Sequence, residues 1–223
     1  MATYDAADLL ARLKAELQRP ATDEAVTDAR LYELLSDAQL TWTRILATHV
    51  PEMMYAWEQA ATADSGLTYT LATKPLGHAE VRNGKNGPVL VPGTQFDDWA
   101  DFTWEDAGAT LRFPSNRTRT FTNGLWVRSV PTPTTISASV APTLKPDNAR
   151  VLLVYQAAAD WAAQGGLRDP GPYLAKLQRA AWGDPMNPGD TGLLGSVKQT
   201  YYGQGLSAAQ ADQGVWYRAP GWR

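Results

Sequence analysis

The densest group of ionisable side chains in the sequence is an acidic run that alternates with aromatic residues. It spans residues 97–106, where five carboxylates are interleaved with Trp99, Phe102 and Trp104. Carboxylates at such spacing can bind calcium or form the acid–base pair of a glycosidase. The spacing matches no EF-hand loop, which favours a surface segment whose aromatic side chains turn inward. The acidic side chains are Asp97, Asp98, Asp101, Glu105 and Asp106.

A basic group follows the acidic run. Its arginines lie on predicted neighbouring strands. Arginines that alternate on one side of a hairpin would form a surface that binds anionic groups. That surface would meet either nucleic-acid phosphates or the carboxylates of a partner. Because the acidic run is close in sequence, pairing between copies of the same protein is an equally simple explanation. The arginines are Arg112, Arg117, Arg119 and Arg128.

Several kinds of catalytic chemistry have no residues to carry them. The chain has no cysteine and only two histidines, His49 and His78. Thiol nucleophiles, disulfides, Cys-ligated metals and two-histidine metal motifs are therefore excluded. Phosphate-binding and nucleophile-elbow glycine motifs are also missing, and the segment from Gly189 to Gly195 is interpreted as a loop. We expect no enzymatic activity, no metal and no cofactor.

The C-terminal segment, residues 183–223, combines glycine with aromatic residues. It holds eight of the 18 glycines and few charges. Such a segment is too rich in glycine for a stable core and too aromatic for a solvated tail. We predict an extended arm that packs on another chain, while a terminus that folds back on its own domain is the alternative. The aromatic residues are Tyr201, Tyr202, Trp216, Tyr217 and Trp222.

Helices are predicted on both sides of a strand-rich region. Asp5 and Thr27 are placed to cap two amphipathic helices, the second ending before Pro51. Alternating apolar residues and Asn-Gly turns, the strongest at Asn123-Gly124, predict strands in the middle of the chain. From Asp147, a predicted N-cap, an Ala-rich helix follows and is expected to be the most buried one.

These elements predict an α+β fold, in which a short bundle of four helices carries an inserted β-rich subdomain and an extended C-terminal arm. The predicted boundaries divide the chain into four parts. They are 1–65 for the helical hairpin, 66–145 for the β-rich insertion, 146–182 for the remaining helices and 183–223 for the arm.

Composition is that of a globular protein. The 223 residues carry 20 basic and 23 acidic side chains, and 44% of residues are hydrophobic. The resulting charge of −3 argues against a strongly electrostatic nucleic-acid binder. The first residues do not read as a secretory signal, and no apolar run approaches the length that spans a bilayer. We therefore expect a soluble chain that is not exported.

The order of elements resembles that of the head–tail connector, or adaptor, proteins of tailed bacteriophages. The resemblance covers residues 4–182 as architecture. It rests on two short helices, the second carrying the stretch Leu31-Tyr-Glu-Leu-Leu-Ser-Asp-Ala-Gln39, on an inserted strand-rich stretch, and on an Ala-rich helix reading Tyr155-Gln-Ala-Ala-Ala-Asp-Trp-Ala162. The β-rich insertion is larger than in the plain helical adaptors.

The resemblance implies a structural virion protein at the head–tail junction, made in the host cytoplasm. Members of that family form a ring, typically of twelve copies, below the portal protein and above a tail-side protein, and DNA passes through the channel. Carried over to this chain, Tyr201, Tyr202, Trp216, Tyr217 and Trp222 would belong to the portal-docking arm. No membrane contact is implied.

Two other functions remain open from the residues. One is a carbohydrate- or receptor-binding module of a phage tail, in which Trp99, Trp104 and Trp126 stack on sugar rings and the acidic run binds calcium. The other is an enzyme that uses a carboxylate pair from the acidic run, such as Asp98 and Asp101. Exchange of that pair for asparagine would abolish catalysis but leave a connector able to assemble.

Overall fold

The chain is a mixed helix and strand protein made of two compact units. The computed structural model describes residues 4–18, 27–64, 67–93, 100–105, 109–114, 121–165, 169–187 and 189–202. One unit, here called the helical unit, consists of Met1–Val50 and Thr134–Arg223. The other, the strand unit, is Pro51–Pro133. Within the described residues there are six α-helices and a curled antiparallel sheet.

The helical unit contains five of the described α-helices. A short 3₁₀ helix, Asp147–Arg150, leads directly into α4. The α-helices are α1 (Ala6–Glu16), α2 (Asp28–His49), α4 (Val151–Gly165), α5 (Gly171–Trp182) and α6 (Gly192–Tyr202). Because five helices are described here, the predicted bundle of four is not confirmed.

Local sequence explains where the first two helices begin and end. The side chain of Asp5 accepts a hydrogen bond from the Asp8 amide at 2.8 Å, and Thr27 Oγ1 accepts one from Arg30 at 3.3 Å. Both predicted N-caps are thus confirmed. Helix α2 ends before Pro51, as predicted. The prediction for Asp147 was wrong, because Asp147 begins the 3₁₀ helix and its cap position is held by Pro146.

Helix α4 is the central helix of its unit, as its alanine content predicted. It packs against α1, α2 and α5. Small side chains at the contact let helix axes approach closely, and Ala157 and Ala158 are fully buried. Leu152 and Leu153 fill the space beside them and are also fully buried. Apolar burial of this kind is the main favourable contribution to folding.

A buried glutamine joins α2 to the segment that returns from the strand unit. Gln39 has no exposed surface. Its Nε2 donates to the Thr134 carbonyl at 2.8 Å, and its Oε1 accepts from the amides of Thr143 at 2.7 Å and Leu144 at 3.2 Å. Ser36 Oγ, one turn earlier, accepts from the Ile136 amide at 2.9 Å. We call these contacts of Gln39 and Ser36 the polar clamp.

The strand unit begins with the short helix α3 (Pro51–Met54) and continues, in the part of it that the structure describes, as a seven-stranded sheet. All strand pairs are antiparallel, in the order β4-β3-β7-β1-β2-β6-β5. The strands are β1 (Ala56–Asp64), β2 (Thr68–Thr70), β3 (Pro75–Asn83), β4 (Val89–Leu90), β5 (Thr103–Glu105), β6 (Thr110–Arg112) and β7 (Leu125–Pro131).

The sheet curls around an aromatic core. Pro92 follows the edge strand β4, and Phe102 directly precedes the opposite edge strand β5. These two residues form a parallel bridge. Tyr69, Phe113 and Phe121 contact one another at ring-centroid distances of 5.2 to 5.6 Å, and Phe102 lies 6.0 Å from Phe113. Aromatic pairs at this separation add to the stabilisation from area burial alone. The core of this unit therefore contains an aromatic cluster, whereas the core of the helical unit is almost entirely aliphatic.

Three features of the fold differ from the sequence-based expectations. The sheet begins at Ala56, ten residues before the predicted start of the insertion. The turn at Asn123-Gly124 leads into β7, whose partners are β1 and β3 and thus not the segment just before the turn. Part of the predicted extended arm is the helix α6, which buries Leu194 and Val197.

Candidate interaction surfaces

Many of the residues predicted to contact partners fall outside the described residues. Tyr201 and Tyr202 are the last two residues of α6. Among the others, only Arg112, Arg128 and Asp101 are described. Those outside the described residues are Trp216, Tyr217, Trp222, Arg117, Arg119, Asp97 and Asp98.

The structure does not bring Arg112 and Arg128 together. They lie on β6 and β7, which are separated in the sheet by β1 and β2 and are not the neighbouring strands that the sequence predicted. Arg112 is largely exposed and forms an ion pair with Glu105 at 3.0 Å. An exposed pair of this type contributes little to stability. The two arginines therefore belong to different surfaces.

The described part of the acidic run has local structural contacts. The carboxylate of Asp101 accepts a hydrogen bond from the Val91 amide at 3.0 Å. This contact joins the segment before β5 to the residue after β4, and the ion pair of Glu105 with Arg112 joins β5 to β6. Among the residues that the structure describes, no group of three or more acidic or histidine side chains is arranged to hold a metal ion.

The tryptophans proposed to stack on sugars do not form one platform in the described residues. Trp99 lies outside them. Trp104 packs edge-on against the core residue Phe102, with ring centroids 5.4 Å apart. Trp126 lies on β7, and its indole nitrogen donates to the Asn123 carbonyl at 3.1 Å. Since β5 and β7 are separated by three strands, Trp104 and Trp126 cannot stack on one sugar ring.

A row of aromatic rings and cationic groups lies on the outer face of β1, β7 and β3. The guanidinium of Arg128 lies 4.4 Å from the centroid of the Tyr55 ring, and that of Arg82 lies 5.6 Å from the Trp57 ring. Lys85 Nζ lies 5.3 Å from the Trp126 ring. We call this set the cation–aromatic ladder. Its members are Tyr55, Trp57, Trp126, Arg82, Lys85 and Arg128.

Strand register positions the ladder. Trp57 pairs with Arg128, which in turn pairs with Glu80 on the other side of β7. Two residues further along, Trp126 pairs with Gln59 and with Arg82. Alternate residues on these strands, such as Val81, Val127 and Leu125, are buried in the core. The ladder is therefore the outward face of strands that the core holds in register.

One carboxylate lies within the ladder and partly neutralises it. Glu80 forms an ion pair with Arg82 and lies 3.8 Å from the Arg128 guanidinium. The side chains of Arg82 and Arg128 retain 30% and 32% of their exposure. Partial burial raises the pKa of the Tyr55 hydroxyl despite the opposing effect of Arg128, and Glu52 and Glu80 raise it further.

Exposed apolar side chains are found on and just after α5 in the helical unit. Trp182 is 51% exposed, although its ring contacts His49 edge-on at 5.2 Å. Leu174 and Met186 are 46% and 89% exposed. We call these three exposed residues, which lie on α5 or within four residues of its end, the α5 patch. Beside it, burial lowers the pKa of His49, and the charge of Lys198 on α6 lowers it further.

A tightly built turn connects α5 to α6. Gly183 has φ 93°, and a Cβ at this position would lie 1.8 Å from the Asp190 carbonyl oxygen. The Asp190 carboxylate accepts from the amides of Asp184 at 3.2 Å and Gly192 at 3.1 Å. Gly183 therefore has a conformational requirement that other residues cannot meet without strain. The turn fixes where the chain leaves the α5 patch and enters α6.

Sequence reasoning missed most of the ladder. Arg128 was identified as a candidate and Trp126 was considered for sugar binding, but Tyr55, Trp57 and Arg82 were not singled out. The available signal is the two-residue spacing of Tyr55 and Trp57, which places both on one face if the segment is a strand. The predicted boundary at residue 65 places this segment in the helical hairpin, where a two-residue spacing does not put both side chains on one face.

Comparisons with known proteins give no family assignment. No protein-family model matches the sequence, and no curated protein matches it with significant similarity. Within the described parts of the chain, none of the helices has both the length and the apolar character required to cross a membrane.

Proposed function

We propose that this protein is a non-enzymatic structural component of a tailed-bacteriophage particle, a head–tail connector. It would form a ring of identical copies below the portal, contact a tail-side protein and continue the channel through which DNA passes without sequence-specific binding. The proposal combines the resemblance in element order with the surfaces described above. The proposal includes a helical bundle with a C-terminal docking arm. Because Gly192–Tyr202 form α6, the proposed arm consists of the residues after this helix.

The α5 patch is the observation that carries the proposal. Scattered apolar side chains are common on protein surfaces, but an exposed Trp close in sequence to an exposed Met and Leu favours contact with another protein. The patch immediately precedes α6, and α6 leads into the aromatic C-terminal segment. We assign the occupant of the patch as the portal protein.

The distribution of surface chemistry supports contacts with more than one partner. The helical unit carries the apolar α5 patch, and the strand unit carries the cationic ladder. Because the α5 patch is assigned to the portal, the ladder is a chemically different surface for a second partner, and neither contact needs a catalytic group. In a ring, neighbouring copies meet through two different patches, so the surfaces that join the copies are further ones.

The proposal is tested by mixing the purified protein with the portal of its particle and examining the mixture by sedimentation velocity and electron microscopy. We expect a ring on the portal. The exchange Trp182→Ala together with Met186→Ser should weaken portal binding about tenfold or more, as expected for loss of a buried aromatic contact. The matched control is Val140→Ser, which changes another exposed apolar residue of the same unit.

A truncation separates the arm from the core. Because α6 buries Leu194 and Val197, the deletion must start after Tyr202 to leave this helix intact. Deletion of residues 203–223 should retain the helical circular dichroism signal and remove portal binding. Portal binding that survives both the truncation and the α5-patch exchange would refute the proposed docking surface.

A further inference from the structure

We infer that the cation–aromatic ladder is a docking site for an extended, acidic segment of another protein. The ladder is an outward sheet face, and its residue types are those that dominate protein interfaces, namely Trp, Tyr and Arg. The inference does not depend on the proposed role as a connector, because it uses only the strand unit.

The rings hold the cations in place before a partner arrives. Arg128 lies over Tyr55 and Arg82 over Trp57, so each guanidinium carbon faces an aromatic ring. A guanidinium has five N–H donors, and these donors match the two oxygens of a carboxylate. Since the side chains are already ordered, less conformational entropy is lost on binding.

The spacing of the cations fits an extended peptide. Arg128 pairs with Trp57, and Arg82 pairs with Trp126, which is two residues from Arg128 on β7. Successive rows on one face of a strand are about 6.8 Å apart. An extended peptide presents every second side chain on one face with the same repeat. Acidic residues at alternate positions of such a peptide would therefore reach successive rows of the ladder.

The charge of the ladder favours a protein over a nucleic acid. Glu80 pairs with both arginines, so three cations share the face with one carboxylate. A nucleic-acid strand has a charge on every unit and binds through many phosphate contacts. It would also place phosphates against Glu80. A protein segment can position its carboxylates at the arginines alone.

The test uses a labelled synthetic peptide in which Glu and Thr alternate, with binding measured by fluorescence anisotropy against the full chain. The control peptide has Gln in place of Glu, and a single-stranded oligonucleotide of equal charge is measured beside it. We expect salt-sensitive binding of the Glu peptide only. Absence of binding by the Glu peptide, or tighter binding of the oligonucleotide through the same arginines, would overturn the inference.

Variants localise the binding to the ladder. Arg82→Ala and Arg128→Ala should each weaken peptide binding about fivefold, as expected for loss of one charge pair near a surface. Arg112→Ala is the matched control, because Arg112 lies in the same sheet but not over an aromatic ring in the ladder. Equal losses in Arg112→Ala would contradict the assignment.

A gain of binding distinguishes docking from a structural role of the ladder. Glu80→Gln removes the carboxylate that contacts both ladder arginines and keeps a hydrogen-bonding side chain next to Arg82. We expect this variant to bind the Glu peptide more tightly than the parent protein does. Partial unfolding cannot produce such a gain, so an unchanged or weaker affinity in a folded Glu80→Gln variant would refute the inference.

Discussion

In the helical unit, Gln39 joins distant segments from a fully buried position, whereas in the strand unit Glu80, Arg82 and Arg128 join two strands on the outer face. Gln39 bonds to backbone groups about one hundred residues away and has no exposed surface. Arg82, Glu80 and Arg128 connect β3 and β7 and remain partly exposed.

This difference separates residues that specify the fold from residues available to partners. A buried amide that loses its partners leaves backbone groups unsatisfied, which costs more than loss of an exposed ion pair. Exchange of Gln39 should therefore destabilise its unit strongly, and exchange of a ladder arginine should destabilise the strand unit only slightly. The four predictions below test this contrast, from the largest expected effect to the smallest.

The largest effect is expected in the aliphatic core. Leu153→Ala removes a fully buried side chain of α4 and should lower the free energy of unfolding by about 2 to 5 kcal/mol. Chemical denaturation followed by circular dichroism measures this loss. Leu174→Ala on α5 is the control, and its exposed side chain should change stability by less than about 0.5 kcal/mol. Similar losses in the two variants would mean that α4 is not the central helix.

The polar clamp should give the next largest effect. Gln39→Leu fills the space but leaves the Thr134 carbonyl and the amides of Thr143 and Leu144 without their partner, at a cost of about 3 kcal/mol. Amide hydrogen exchange should accelerate most at Thr143 and Leu144, because their amides lose the acceptor. Ser36→Ala removes one acceptor and should cost about 1 kcal/mol. A larger loss in Ser36→Ala would reverse the roles assigned to the two residues.

In the ladder, loss of a cation should have a smaller effect on stability. Arg128→Ala removes the stacking on Tyr55 and the contact with Glu80, which together contribute about 0.5 to 1 kcal/mol at a partly exposed site. The measurement is the urea midpoint of the variant. Arg112→Ala provides the exposed comparison and should be close to neutral. If Arg128→Ala costs as much as Gln39→Leu, the contrast between the two units is wrong.

The smallest effect concerns pH. Burial raises the pKa of Asp160 on α4 and Asp37 raises it further, although a hydrogen bond from Gln156 opposes them. The folded protein thus binds this proton more tightly than the unfolded chain does. Stability contributed by Asp160 should increase as the pH falls through the raised pKa and should be lower at neutral pH.

Asp160→Asn should remove this dependence. The variant should gain less than about 1 kcal/mol at neutral pH, and the gain should disappear under acidic conditions where Asp160 is protonated. Urea midpoints at neutral and acidic pH measure both values. Asp147→Asn serves as the control, since its side chain is 75% exposed. If Asp160→Asn loses stability at neutral pH, folding favours the charged form of Asp160 and the prediction is wrong.

Sequence reasoning succeeded where structure depends on nearby residues. The caps at Asp5 and Thr27, the end of α2 before Pro51 and the central position of the Ala-rich helix all follow from local chemistry and periodicity. Helix α6 was missed because Gly192 and Gly195 lower helix propensity, whereas burial of Leu194 and Val197 stabilises the helix in its unit.

The ladder was mostly missed because it depends on strand register. Residues 56–64 include four alanines and no valine or isoleucine, and they form β1 because β7 and β2 pair with them. Trp57, Glu80 and Arg128 become neighbours only when β1, β7 and β3 align. Amino-acid types alone did not indicate which strands would pair, and this also explains why Arg112 and Arg128 were grouped incorrectly.

The division of the helical unit between the two ends of the chain affects the order in which the protein can fold during translation. Helices α1 and α2 leave the ribosome with their apolar faces uncovered, because α4, which packs on both, follows more than eighty residues of strand unit. The strand unit is continuous and can complete its core first. The newly made N-terminal hairpin thus has an interval in which chaperones can bind it, and this interval ends when α4 emerges and packs on both helices.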